Sequence, residues 1–283
     1  MSRFGRQSFV GIIMLLLASA GAVMAHHRWS HALPNYAYLS GWVFMAVMIL
    51  LALYNLRKRL PFLSLGSSEA WLQVHVYAGF FTVVLFLIHL NFRMPTGWFE
   101  GVLAWLYLLV TGSGIVGLFF SRVLPRRLAT RGSEVIYEKI PALRHALRQE
   151  AEALALAGNA TPVGGANSGG PQSSVIADFY LQNLHAFFQG PKYFWPHLLD
   201  SRRPLNALMR ELDDVRRYLN ETERATLQKL GDLVRRKDGL DYHHALQATL
   251  KLWLFVHLPL TYSLMIFSVL HIIIVFAFSG GSR

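Results

Sequence analysis

The sequence predicts an all-α integral membrane protein, a helical bundle of about five spans with a helical cytoplasmic insertion. Three observations lead there. Hydrophobic residues make up 53% of the 283-residue chain, and charged residues only 15%. Soluble domains carry roughly 25% charged residues. Five apolar runs also reach or approach the ~20 residues that a helix needs to cross about 30 Å of hydrocarbon.

The first run covers Phe9–Ala25 and has two readings. Arg3 and Arg6 precede it and Val23-Met24-Ala25 closes it, the pattern of a signal peptide as well as of a retained short span. Either way, His26–Tyr38 is expected on the outer side. The second run is Leu39–Leu56, the third Ala70–Phe92, the fourth Gly101–Ser121 and the fifth Leu252–Phe278. The fifth is long enough to tilt, and Pro259 is a candidate kink.

Charge orients the spans. The formal net charge is +11, but the basic residues cluster at the ends of apolar runs, as the positive-inside rule expects, so nucleic acid is not an expected partner. Arg57, Lys58 and Arg59 follow the second run, and Arg122, Arg126, Arg127 and Arg131 follow the fourth. The intervening loop holds only Arg93 and Glu100. The basic loops are therefore expected in the cytoplasm, with the C-terminal tail outside, and the third and fifth runs cross the membrane in the same direction. The expected setting is the bacterial inner membrane.

Between the fourth and fifth runs lies an insertion far longer than an ordinary connection. The chain accordingly divides into four N-terminal spans (1–121), the insertion (122–251), and a last span with a short outer tail (252–283). Helices are expected over Ser133–Leu156, Val175–Phe188, Leu205–Leu219 and Glu221–Arg236. Asn220 with Glu223 has the form of a capping box, and Gly239 suits a helix stop. The segment 157–174, rich in Gly, Ser, Asn and Pro, reads as a flexible linker. From Arg122 to Lys251 there are nineteen Lys/Arg and fourteen Asp/Glu. That mixed-charge surface is expected to dock a partner subunit.

The chain has no Cys. Disulfides, thiolate-held iron–sulfur clusters and covalent CxxCH haem attachment are thereby excluded. Metal or haem ligands must be His, Met or oxygen.

Twelve His residues are present, and four lie inside apolar runs. His75 and His89 belong to the third run, His257 and His271 to the fifth, and each pair is fourteen positions apart. Fourteen residues are nearly four helical turns, a climb of about 21 Å. Each pair thus lies on nearly one helix face, one imidazole toward each side of the membrane. Parallel helices bring His75 level with His257 and His89 level with His271. A facing pair can supply both axial ligands of a haem iron and leave no open position, which suits electron transfer. A single His in a span is as readily a packing residue bonded to a neighbouring helix. Four at matched depths, where polar groups are costly, point to function.

The arrangement resembles the di-haem membrane cytochromes b, among them the cytochrome b of bc complexes, b561-like cytochromes and ferric-reductase-like membrane domains. The resemblance rests on His75, His89, His257 and His271, with Gly79 one turn after His75 as a place for close haem approach. It covers the spans and not the insertion. It implies two non-covalent b-type haems on bis-His ligands, with electrons passing between a quinone pool or cytoplasmic donor and an outer redox partner. That partner would be a cytochrome c, an iron–sulfur protein or a flavoprotein subunit within a complex. The short chain and the insertion between the ligand helices depart from full-length bc cytochrome b. No dinucleotide fingerprint follows a strand within the sequence, unlike in ferric reductases with their flavin and nicotinamide domains, so the electron donor or acceptor is expected on other subunits or as a diffusible quinone.

Other features carry weaker readings. Arg57, Arg93 and Arg122 are candidates to pair with haem propionates, since a guanidinium matches a carboxylate. Gly112, Gly114 and Gly117 spell GxGxxG inside an apolar run, where close helix packing is the expected role. His243 and His244 are expected at an interface or exposed. His26, His27 and His31 are expected in a solvated loop, with contact to a quinone as the alternative. Trp71, Trp98, Trp105 and Trp253 suit interfacial belts. Two other functions remain open: a haem-free membrane scaffold, and an enzyme that reduces a metal or quinone at an outer site.

Overall fold

The protein is represented by a computed structural model, which describes residues 3–33, 36–57, 68–130, 135–157 and 173–279. Most of the expected linker 157–174 lies outside these residues, as do Lys58, Arg59, Arg131 and the tail 280–283, and the side chain of Arg57 is likewise not described. Among the described residues every regular element is helical.

Five helices are long and apolar enough to cross a membrane. They are α1 (Arg3–Trp29), α2 (Tyr36–Arg57), α3 (Ser68–His89), α4 (Trp98–Thr130) and the last part of α10 (Glu221–Ser279). Their composition explains both the helix and its setting. Backbone polar groups in hydrocarbon must be satisfied within the segment, which a helix achieves. The apolar side chains stay largely outward, with no more than 22% of any spanning window buried. The chain is an integral membrane protein of the all-α class.

The chain forms two compact units, one made of residues 1–119 and 253–283, the other of residues 120–252. In the first, α2 and α3 pack together and α1 packs on α3. Its core gathers Phe44, Met45 and Met48 of α2, Leu85 and Phe86 of α3, Tyr107 of α4 and Leu264 of α10. The third apolar run extends to Phe92, but its helix ends at His89. Asn91 and Phe92 turn through positive φ (50° and 55°), and the Phe92 N–H reaches back to the Leu87 carbonyl at 2.9 Å. That bond closes the helix end by satisfying one of its orphan carbonyls.

The second unit holds α5 (Ile140–Ala157), α6 (Ser173–Phe179), a π-helical turn (Tyr180–Leu184), α7 (His185–Gln189), α8 (Phe194–Leu198), α9 (Arg203–Val215) and the first part of α10. Its core packs Ala151 and Ala155 of α5, Phe179 and Phe188 around the π turn, Leu208 and Leu212 of α9, and Leu230 and Val234 of α10. A smaller core joins Leu124 near the end of α4 to Tyr242, Ala245 and Leu246 of α10.

The capping box forms at the start of α10. Asn220 Oδ1 accepts the Glu223 N–H at 2.9 Å, and Glu223 Oε2 accepts the Asn220 N–H at 3.0 Å. Gly239, however, does not stop the helix, which continues from Glu221 to Ser279 with Pro259 inside it. A glycine within a helix costs about 1 kcal/mol relative to alanine. Around Gly239, Lys237, Asp238, Leu240, Asp241 and Tyr242 are all buried, and their packing outweighs that cost. Local propensity is a weak prior that tertiary burial overrides.

Candidate functional site

The four span histidines are half-buried on the inner faces of α3 and α10. The imidazoles of His89 and His271 face each other, with ring centres 6.4 Å apart and planes at 88°. His75 and His257 lie within electrostatic range of each other. With the His89–His271 approach, this has α3 and the end of α10 running in the same direction, because the lower-numbered member of each helix pairs with its counterpart.

Each imidazole has its own setting. The His271 ring stacks on Phe99 of α4 (6.2 Å, 22°), and Phe99 stacks on Phe267 (6.1 Å, 27°). His89 rests against Gly41 of α2, where an added Cβ would meet its Cε1 at 2.9 Å. Ser40 Oγ lies 3.3 Å from His89 Nδ1. At the other level, His75 lies by the Tyr54 ring (4.9 Å). His257 stacks on Trp253 (5.2 Å, 23°), and its Nδ1 is 3.1 Å from Ser113 Oγ of α4. The Trp253 indole N–H donates to the Ser113 carbonyl at 2.9 Å.

The glycine pattern of α4 explains how these side chains come so close. A Cβ on Gly117 would collide with the Trp253 indole, and one on Gly114 would touch His257 Cε1 at 3.9 Å. Gly114 and Gly117 leave room for the His257 and Trp253 side chains, whereas a Cβ on Gly112 would meet nothing within 4 Å. Trp253 therefore does more than populate an interfacial belt. Trp98 and Trp105 are largely exposed, at 83% and 69%.

Between the two His levels lies an aromatic layer. Tyr107 stacks on Phe86 (4.2 Å) and meets Phe44 edge-on (5.3 Å). The Tyr107 hydroxyl donates to Thr82 Oγ1 at 3.1 Å, and Thr82 donates to the Gly79 carbonyl at 2.7 Å. Thr82 stands seven residues from both His75 and His89. This buried hydroxyl pair satisfies itself within the layer, as polar groups at that depth must.

The donor set fits iron held between imidazoles. An imidazole nitrogen binds a first-row metal at about 2.0–2.1 Å and lies roughly 1.1 Å from its own ring centre, so two in-line rings on one ion have centres about 6.3 Å apart. His89 and His271 have that separation. Nδ1 of His271 is buried without a hydrogen bond, whereas His75 has the Leu51 backbone as a partner. The His271 imidazole is one whose polar atoms the protein does not saturate. At Gly79 an added Cβ would meet nothing within 4 Å, so there is open space one turn from His75. Among the described residues no group of three or more His, Asp or Glu side chains is placed to hold a metal. The His89–His271 pair offers two imidazole donors, the number that a b-type haem takes from its protein.

The remaining candidates fall elsewhere. Arg93 is exposed on the turn after α3, and Arg122 is exposed on α4. Arg127 Nη1 donates to the Leu198 carbonyl at 2.7 Å. His26 occupies the last turn of α1 rather than a loop, with Nδ1 3.2 Å from the Tyr36 hydroxyl and its ring against Phe92 (5.8 Å). His27 and His31 are exposed. His243 is not exposed but buried. His244 is half-buried and stacks on Tyr137 (5.5 Å, 13°).

Sequence reasoning passed over a buried ionic centre in the insertion. Lys237 and Asp241, one turn apart on α10, form a fully buried pair. Arg144 Nε approaches Asp241 Oδ1 at 3.2 Å. The Lys192 N–H donates to Asp241 Oδ2 at 3.0 Å, and Lys237 Nζ donates to the Gly190 carbonyl at 2.8 Å. The Lys237 ammonium also sits 4.0 Å over the Phe187 ring. Burial pushes the Lys237 ammonium below its ordinary range, and Asp241 pulls it back up. The i,i+4 spacing of the pair was visible in sequence, but nothing local separates it from a solvated ion pair.

Compared with known proteins, the chain matches no family model, no curated protein and no solved structure.

Proposed function

We propose that the chain is a di-haem b-type electron-transfer subunit, with one haem held by His89 and His271 and the other by His75 and His257. The observation that carries this reading is the approach of the His89 and His271 rings, 6.4 Å between centres with their planes at 88°. When bound, each haem would supply a one-electron iron couple held by its two imidazoles, which favours electron transfer over oxygen chemistry.

The protein's part is to orient the ligands and exclude water. Gly41, Phe99 and Ser40 surround the His89–His271 pair, and Trp253, Ser113 and Gly114 surround His257. The layer of Phe44, Phe86 and Tyr107 fills the space between the levels. An electron would enter from a quinone pool or cytoplasmic donor and leave to a cytochrome c, iron–sulfur or flavoprotein partner on the outer face. The expected setting is the bacterial inner membrane, with the insertion in the cytoplasm serving as a docking domain within a complex.

Purified full-length protein tests this reading through its reduced-minus-oxidised spectrum and haem content. Two haems per chain with a sharp b-type spectrum are expected. Colourless protein with intact spans would overturn the proposal in favour of a haem-free scaffold.

A further inference from the structure

We propose that Ser40 and Ser113 are positioning residues that set the tautomer and donor strength of His89 and His257, one serine for each level. This rests on the haem reading above and adds to it a division of labour among the four imidazoles.

The tautomer follows from proton accounting at Ser40. Its hydroxyl donates to the Ala37 carbonyl at 2.9 Å. A hydroxyl has one proton, so toward His89 Nδ1 at 3.3 Å it can only accept. The Ala37 backbone, also a hydrogen-bond partner of this ring, likewise can only accept, so Nδ1 of His89 carries the ring proton and the lone pair lies on Nε2, the nitrogen left for a metal. His257 obeys the same logic from the opposite end. Its Nε2 can ligate only when Nδ1 is protonated, and the Nδ1–H then donates to Ser113 Oγ at 3.1 Å. Ser113 also accepts the Trp253 indole through its carbonyl. The stacked pair of Trp253 and His257 is thus held at two points of one residue.

The partners of these imidazoles differ. His271 has a buried Nδ1 with no hydrogen bond, and His75 has the Leu51 backbone, not a serine, as its partner. Each level therefore combines one serine-bonded imidazole with one that lacks such a bond. Donation from Nδ1–H to an acceptor raises the basicity of the ligating nitrogen. A more basic ligand favours the more highly charged ferric state and lowers the potential. Loss of the hydroxyl should raise it.

The test uses full-length protein with Ser40→Ala, Ser113→Ala and the double variant, each compared with the threonine replacement that restores a hydroxyl. Haem content, redox titration and ferric EPR spectra are read together. Ser40→Ala is expected to raise the potential of one haem and Ser113→Ala that of the other. The expected change is roughly three- to tenfold in the one-electron equilibrium, about 30–60 mV. The double variant should raise both. The EPR anisotropy of the affected haem should change too, because the released ring is free to turn about its axis. If an alanine variant loses haem, recovery of that haem by threonine supports the proposal, and failure to recover it overturns it. Two haems in every variant with unmoved potentials would overturn the serines' role alone. Wild-type protein without haem would overturn the reading of the site itself.

Discussion

His89 on α3 and His271 on α10 present their imidazoles to each other at 6.4 Å with ring planes at 88°. They lie 182 positions apart in the chain, on helices separated by the whole insertion. Only a specific helix–helix register brings them together, and any change at either ring should act on that level first.

On the proposed reading, His271→Ala is expected to reduce bound haem from about two per chain to about one, because it removes one of the two imidazoles that would hold that haem. His257→Ala should remove the other haem. Haem-to-protein ratios for the two single variants and the pair check this. Loss of both haems from either single variant would mean that the two levels are not independent sites.

Gly117 tests the packing that holds His257. A leucine there would drive its Cβ into the Trp253 indole, and overpacking of this kind typically costs 1–3 kcal/mol. Trp253 would be displaced, and with it the stacking and the Ser113 bond that orient His257. The expected result is a lower thermal midpoint and loss of the haem on the His75 level. Gly79→Leu makes the contrast. Open space surrounds that position, so the thermal midpoint of haem-free protein should stay near that of the parent while haem uptake falls.

The Lys237–Asp241 pair tests the insertion. Removing one partner of a fully buried ion pair strands the other charge and typically costs 3–5 kcal/mol. Lys237→Ala should therefore accelerate amide hydrogen exchange in α5 and the first part of α10 of the full-length protein. A double Lys237→Met, Asp241→Asn variant should lose less than the two single losses combined, since groups in contact are not additive. Equal exchange in Lys237→Ala and parent would mean that the pair contributes nothing.

The pH dependence of the same unit involves His244. Burial holds its imidazole below the ordinary 6.5, the Arg144 cation adds to this, and Asp241 opposes it. The unfolded chain then takes up a proton at a higher pH than the folded chain, so stability falls as pH drops through 6.5 toward the folded value. Hydrogen exchange in the insertion, corrected for intrinsic rates between about pH 7.5 and 5.5, should show this loss. His244→Phe keeps a ring to stack on Tyr137 and should flatten the profile.

The sequence by itself determined the membrane class, the five apolar helices and the fourteen-residue spacing of the span histidines. These follow from composition and from the fixed rise and turn of a helix, which need no distant contact. It also determined the capping box at Asn220, a bond pattern contained within four residues. The stop at Gly239 misled because a local preference of about 1 kcal/mol competes with burial on every side. Only the tertiary structure decided that Ser40 and Ser113 lie at the His89 and His257 rings, that Phe99 stacks on His271 and Trp253 on His257, and that Lys237 and Asp241 are buried. The serine contacts and the Phe99 stack join side chains from different helices, and the burial of the Lys237–Asp241 pair depends on helices other than its own. An apolar helix in lipid can turn any face toward a neighbour, so its contacts are chosen by packing rather than by its own pattern. A Lys and an Asp one turn apart read alike in water and in a core, and what separates them is the enclosing wall of α5, α7 and α10.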